Sequence, residues 1–426
     1  MLPSLSQFAR VRPLLIAAAL VGAIVGCQQD LSSGMACPSL CPQQADSLHD
    51  TTIFALDFDT SVVGYPTLGS ENQFELTTGK TFDLRAIVRF DTLQATFTHK
   101  GTGVDSDLVS VASAVMKMVI AKADTLGPPV TFSLYDVEVD STENDTSAAA
   151  LTPRFIPANL IGQRTVPADS LKDSIAVPLD TAKLLAKVHV LPFGRMRVGV
   201  QISAPQPTEV QIFSANSGFA PFMFIRPSLD TSVDSISIGP SSKTPTDDAL
   251  TASELADFQL LSVATPAPAS DVIRVGGIPG RRAYLRFNIP TRILDSSAVI
   301  RASLILTQKP NPGAPDAADT AGVVPYELAS GTALTDLRRI LIFLSFGMDS
   351  VGTAPKDSGE RSFEIISALR RWRFTRPERT PRTLALSATR EGEGAWEVDF
   401  FSERAAPAVR PRLHISYLPL PKGGLP

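Results

Sequence analysis

Leu84-Arg85-Ala86-Ile87-Val88-Arg89-Phe90 decides the fold, because it returns further along the chain as Arg282-Ala283-Tyr284-Leu285-Arg286-Phe287. In the first copy Leu84, Ala86, Val88 and Phe90 alternate with Arg85, Ile87 and Arg89, the period of a β-strand with one face turned inward. A helix would space its apolar residues three and four apart. The matched arginines Arg85, Arg89, Arg282 and Arg286 predict a structural role, pairing with acids on a neighbouring strand.

Other landmarks recur in the same order. Ser113-Ala114-Val115 returns as Ser297-Ala298-Val299. A β-rich stretch with Phe-Ser runs from Val210 to Ser214 and again from Val398 to Ser402. Ala220-Pro221 matches Ala406-Pro407, and Arg226-Pro227 matches Arg410-Pro411 with a slip. Shared order points to a tandem duplication. Gly239-Pro240-Ser241-Ser242-Lys243-Thr244-Pro245 reads as the linker. The predicted boundaries are 50–238 for the first repeat, 239–250 for the linker and 251–420 for the second repeat.

Most of each repeat reads as strand. Ile300, Ala302, Leu304 and Leu306 alternate with Arg301 and Ser303, and Leu413, Ile415 and Tyr417 close the second repeat likewise. Gly64, Pro66, Gly127 and Pro310 punctuate the runs, and 34 prolines argue against a helical bundle. The fold class is therefore all-β, built as antiparallel sandwiches or barrels. One short helix per repeat is predicted. Ile365, Leu369 and Trp372 fall on one helical face, with Leu184, Leu185 and Val188 as the counterpart. Leu337, Ile340, Leu341 and Leu344 suggest another.

The N-terminus carries an address. Arg10 and Arg12 precede an uncharged apolar stretch from Leu14 to Val25, followed by Gly26-Cys27. Basic flank, short apolar core and small residues at the cut make residues 1–26 a secretory signal. A cysteine directly after the cut resembles the lipobox of bacterial lipoproteins. That resemblance implies a diacylated Cys27, a membrane as partner and a place in the cell envelope. Residues 27–49 read as a flexible, lipid-anchored tether. Within it Cys37 and Cys41 form a candidate local disulfide, suited to an oxidising compartment.

Removing the signal leaves 37 basic against 43 acidic side chains, a formal charge of -6. That balance gives no nucleic-acid signal. No catalytic constellation is visible: His49, His99, His189 and His414 are scattered, and no His-Glu-x-x-His or Gly-x-Ser-x-Gly run occurs. The chain reads as no enzyme and needs no cofactor. Acidic groups that could ligate a structural calcium are Asp57 with Asp59, Asp105 with Asp107, and Asp140 with Glu143 and Asp145, none at calcium-loop spacing.

The densest basic run is Arg370-Arg371-Trp372-Arg373. Two readings stand. Guanidinium groups and an aromatic face would recognise an anionic polysaccharide. Alternatively Trp372 completes the stripe of Ile365 and Leu369 and plugs the sandwich, leaving Arg370, Arg371 and Arg373 solvated. Trp396 is either a packing residue or a second exposed platform.

The second half resembles the DNRLRE-type domain, related to a disaggregatase and to a family of carbohydrate-binding modules. The carrying residues are Asp271-Val-Ile-Arg-Val-Gly276, Arg282-Ala-Tyr-Leu-Arg286-Phe287, Ser297-Ala298-Val299-Ile300, Phe363-Glu364-Ile365-Ile366 leading to Trp372, Phe401-Ser402-Glu403 and Arg410-Pro411-Arg412-Leu413. They span about 255–418, with a weaker version over 50–235 that lacks a counterpart of Trp372. The resemblance implies two tandem jelly-roll-like β-sandwiches on an exported, non-catalytic protein. It implies glycan binding; a surface-structural role, a protein-interaction subunit of an envelope assembly and, last, a polysaccharide-cleaving enzyme are the other readings of the chain.

Overall fold

Backbone pairing fixes the architecture, since buried N–H and C=O groups need partners. The computed structural model describes residues 48–420, apart from 55, 67, 80–81, 140–145, 190–193, 231–232, 234, 243–254, 262–266, 315–316, 329–343 and 375–381. The signal, Cys27, the Cys37–Cys41 pair, the calcium candidates Asp140, Glu143 and Asp145, and Leu337, Ile340 and Leu341 lie outside the described residues.

Two leading strands, β1 (His49–Ile53) and β2 (Leu56–Tyr65), precede a first block. That block holds β3 (Gln73–Thr78), β4 (Leu84–Leu93), β5 (Thr96–Thr98), β6 (Asp105–Asp107), β7 (Val111–Ala123) and β8 (Val130–Asp136). It continues with β9 (Leu160–Val166), β10 (Ser174–Pro178), β11 (Gly194–Ser203), β12 (Thr208–Phe213) and β13 (Phe222–Pro227). A second pair follows, β14 (Ile236–Ile238) and β15 (Asp257–Leu261). The second block has β16 (Val272–Gly276), β17 (Gly280–Phe287), β18 (Ser297–Lys309), β19 (Ala321–Leu328) and β20 (Leu344–Gly347). It ends with β21 (Val351–Thr353), β22 (Gly359–Glu364), β23 (Thr383–Ala388), β24 (Glu397–Phe401) and β25 (Arg412–Pro419).

The fold is all-β, as the alternation predicts. In the first block one sheet pairs β3 with β12, β12 with β7 and β7 with β10, while β13 carries the line of β12 onward along β7. The facing sheet pairs β4 with β11, β11 with β8 and β8 with β9. Eight strands in that order make a jelly roll. The second block repeats it: β16–β24–β18–β22, with β25 extending β24, faces β17–β23–β19. Leu344, expected in a third helix, instead opens strand β20, which pairs with β19; the other two predicted helices occupy matched places. Thr181–Val188 follows β10, with Asp180 capping the N–H groups of Ala182 and Lys183. Ile366–Trp372 follows β22. Leu184 and Val188 enter the first core, and Leu369 and Trp372 the second.

The sequence halves and the sandwiches do not coincide. Residues 56–65, expected in the first repeat, form β2 along β17 of the second block, with Thr60 opposite Tyr284 and Ser61 opposite Ala283. Residues 257–261, expected in the second repeat, form β15 along β4 of the first block, with Phe258 opposite Ile87. The outer strands follow suit: β14 pairs β13, and β1 pairs β25. Each leading pair therefore skips the block that follows it and completes the other one. The boundary at 239–250 accordingly does not partition the strands. Residue alternation reports which face is inward; it carries no information about which sheet edge a strand lies along.

The exchange is fastened identically at both places. Ser214 and Ser402 end the matched Phe-Ser stretches, and their N–H groups donate to the carbonyls of Asn72 (3.0 Å) and Asp271 (2.8 Å). The next N–H, Ala215 or Glu403, donates to a carboxylate on the exchanged strand, Asp257 at 2.7 Å or Asp59 at 2.6 Å. Gln259 adds a stitch: its amide nitrogen donates to the carbonyls of Glu75 and Arg85, and its oxygen accepts from Glu75 N–H.

Register corrects two of the repeat matches. Ala114 lies opposite Ile225 and accepts from Leu179 N–H; Ala302 lies opposite Ile415 and accepts from Ile365 N–H. Ala302, not Ala298, is thus the counterpart of Ala114, a slip of two full strand periods that keeps every side chain on its face. Met223 faces Met116 and Leu413 faces Leu304, so Pro221 corresponds to Pro411 rather than Pro407.

Trp372 is wholly buried among Leu369, Ile365 and Phe363 in the second core. Trp372→Ala should cost about 3–5 kcal/mol of stability, the range for truncating a core aromatic. Urea unfolding measures this, and a loss below about 1 kcal/mol would contradict the packing.

Candidate functional site

The aromatic–basic run resolves into the plug. Trp372 is in the core, and Trp396 is also buried, its indole N–H donating to the Asp319 carbonyl at 3.1 Å. Neither ring offers a face to a ligand, which corrects both as stacking platforms. Arg371 pairs with Glu327. Arg370 and Arg373 are exposed and have no partner among the described residues. They lie beside a ring that sequence reasoning missed, Phe374, which is 85 % exposed.

The repeated arginines stack rather than simply pair. Arg85 lies 4.3 Å from the Phe155 ring centre, Arg89 5.2 Å from Phe258, Arg282 4.0 Å from Tyr65 and Arg286 4.6 Å from Phe58. Asp57, facing Arg286 at 3.5 Å, lies on a neighbouring strand as expected. Arg282 meets Glu391 from the loop between β23 and β24, and Arg85 meets Asp83, the residue just before its own strand. The strand quoted at the outset is buried on both faces, because Phe155 and Leu151 cover its arginine side.

A different surface carries exposed rings. On β13, Met223 and Ile225 point into the first core, so Phe222, Phe224 and Arg226 point out. Lys117 of β7 lies directly opposite Phe222, and Val115 opposite Phe224. The two rings sit 6.2 Å apart, and a second pair, Phe213 and Phe219, sits 5.1 Å apart at the bend before β13. Phe219 is 57 % exposed. Lys117 and Arg226 are exposed and have no partner among the described residues.

The duplication supplies an internal comparison. The positions of Phe222, Phe224 and Arg226 correspond in the second block to Arg412, His414 and Ser416. There Arg412 pairs with Glu360 and Ser416 bonds Asp50. One copy of the face is closed by its own polar contacts; the other keeps rings and cations open. The sequence signal was alternate phenylalanines, Phe222 and Phe224, on a strand near a Phe-Ser stretch.

Among the described residues no cluster of three or more histidines, cysteines or acids could hold a metal ion. Asp59 is spent on Glu403 N–H, Asp57 faces Arg286, and Asp105 accepts from Thr98.

No protein-family description matches the chain, and no curated protein matches it. Among solved structures, the Macrobrachium rosenbergii nodavirus aligns over 88% of this chain and 91% of its own, at 9% identity and a TM-score of 0.17. T=1 particles derived from infectious bursal virus align over 87% and 76%, at 11% identity and a TM-score of 0.11. Likeness at that level carries no argument about this chain.

The exchanged strands bring carboxyls into the interior. Glu71 lies in the crossing between β2 and β3, beside a cavity of about 230 Å³ that Tyr65, Leu68 and Ile278 help line. Its carboxylate accepts from Gly69 N–H at 2.7 Å. Burial pushes Glu71 up to about 7, with the Asp257 charge adding to it. Burial pushes Asp257 up to about 6, and Asp59 upward too. The folded chain therefore holds protons that the unfolded chain, with ordinary carboxylates, has released. Stability should fall as pH rises through 5 to 7, and be regained on acidification. Thermal unfolding of the wild type should give a higher midpoint at pH 5 than at pH 8. Asp257→Asn should shrink that gap. A midpoint that rises with pH over this range would contradict the buried-carboxyl account.

Proposed function

We propose that the chain is a non-catalytic lipoprotein of the bacterial cell envelope, held to a membrane by an acylated Cys27, and that it binds an anionic polysaccharide. The observation that carries the binding reading is the open sheet face of the first block. Ring faces at Phe222 and Phe224 suit the C–H face of a sugar. Lys117 and Arg226, one on each strand, suit carboxylate or sulfate groups along the same chain. The resemblance of about 255–418 to a carbohydrate-binding-module-related family supports the substrate class. The signal-like segment 1–26, directly followed by Cys27, supports the location.

A second reading is docking of an envelope protein on the same face. It is favoured by one feature: the four rings are all phenylalanine and carry no hydrogen-bonding group. Aromatic and arginine side chains on a rigid strand pair are the anchors of protein interfaces as well.

Retention on immobilised polygalacturonate should separate the readings. The wild type should be retained and should elute with salt. Phe222→Ala with Phe224→Ala, or Lys117→Glu with Arg226→Glu, should pass through while unfolding at the wild-type temperature. Unchanged retention of both variants would remove the site. Absence of wild-type retention on any acidic glycan would remove the ligand class, and cross-linking to envelope proteins would then favour the second reading. Separately, Cys27→Ser should abolish labelling by a radioactive fatty acid and release the protein from membranes. Persistent labelling would contradict the anchor.

A further inference from the structure

Far from the aromatic sheet face in the chain, a groove of about 380 Å³ runs beside the helix Ile366–Trp372. Leu294, Val299 and Leu369 form its base. Ile300, 48 % exposed, and Phe374, 85 % exposed, stand along it. Arg370 and Arg373, one helical turn apart, sit at its rim. Neither guanidinium has a partner among the described residues.

Charge and polarity select the occupant. Two unpaired like charges one turn apart repel each other, and an anion between them relieves both. The trough beneath is hydrocarbon. Apart from the arginines, its polar side chain is Ser297, and that hydroxyl is committed to the Ile293 carbonyl. A sugar lying here would leave its hydroxyls without partners, which is costly. A hydrocarbon chain loses nothing by leaving water and gains roughly 0.8 kcal/mol for each methylene it buries.

We propose that this groove binds a single alkyl chain carrying an anionic head group. The chain lies along Leu294, Val299 and Ile300 under the Phe374 ring. The head sits between Arg370 and Arg373. The site is independent of the glycan reading, which concerns the first block.

Calorimetric titration of the full chain with laurate and with decyl phosphate, both below micelle formation, tests this. One saturable equivalent is expected for each. Arg370→Glu with Arg373→Glu should weaken both at least tenfold, and Ile300→Ser should weaken both more mildly. These side chains are exposed, and an unchanged thermal midpoint confirms that the variants fold. Decyl maltoside, with the same tail and a neutral head, should bind at least tenfold more weakly. The Phe222→Ala, Phe224→Ala variant should keep full laurate affinity even if it has lost polygalacturonate. The proposal is overturned by no saturable uptake, by equal affinity for decyl maltoside, or by unchanged affinity in the charge-reversed variant. Adsorption to vesicles of anionic phospholipid without uptake of monomeric laurate would overturn it too.

Discussion

An unpaired sheet edge is the constraint from which the rest follows. Within its own block β4 pairs along its length with β11, and β17 with β23, while β17 meets β16 at a single position, Gly276 opposite Arg281. The other edge would present a row of free N–H and C=O groups, an invitation to pair with another chain. Each is closed by a strand from the opposite half, β15 on β4 and β2 on β17. Neither half is complete without the other. The described residues from Asp50 onward accordingly form one unit.

That closure has an electrostatic cost. Carrying strands between blocks puts Asp59, Asp257 and Glu71 out of water. Each is placed to accept a backbone N–H that would otherwise lack a partner, so the carboxyls act as fasteners as well as buried acids. The arrangement also explains why the two copies of the outer face diverge without harm to the fold. The inward residues Met223 and Ile225, like Leu413 and Ile415, are held by the core. The outward ones are free to become rings and cations in one copy and ion-paired polar groups in the other.

Much of this was legible in the sequence, and for definite reasons. Alternation at Leu84–Phe90 and at Arg282–Phe287 reported strands because side-chain direction has a period of two in a sheet. The stripe Ile365, Leu369, Trp372 reported a helix whose tryptophan is a plug. The Phe-Ser stretches marked equivalent turns to the residue. The exchange of strands was not legible: residues 56–65 look like a strand wherever they pair, and partner choice is a long-range property. The match of Ser297 to Ser113 slipped by four residues because a shift by an even number leaves the in-and-out pattern intact. The candidate surface was missed because three-residue signals such as Phe222-Met223-Phe224 read equally well as core. Only the position of β13 beside β7 shows which residue faces out.

Hydrogen exchange of the intact chain tests the exchange of strands most directly. Amides of β2 and β15 should be as slow as those of β17 and β4, the strands they complete, because all open only with the whole unit. Fast exchange over 56–65 and 257–261, with β17 and β4 still protected, would contradict the account.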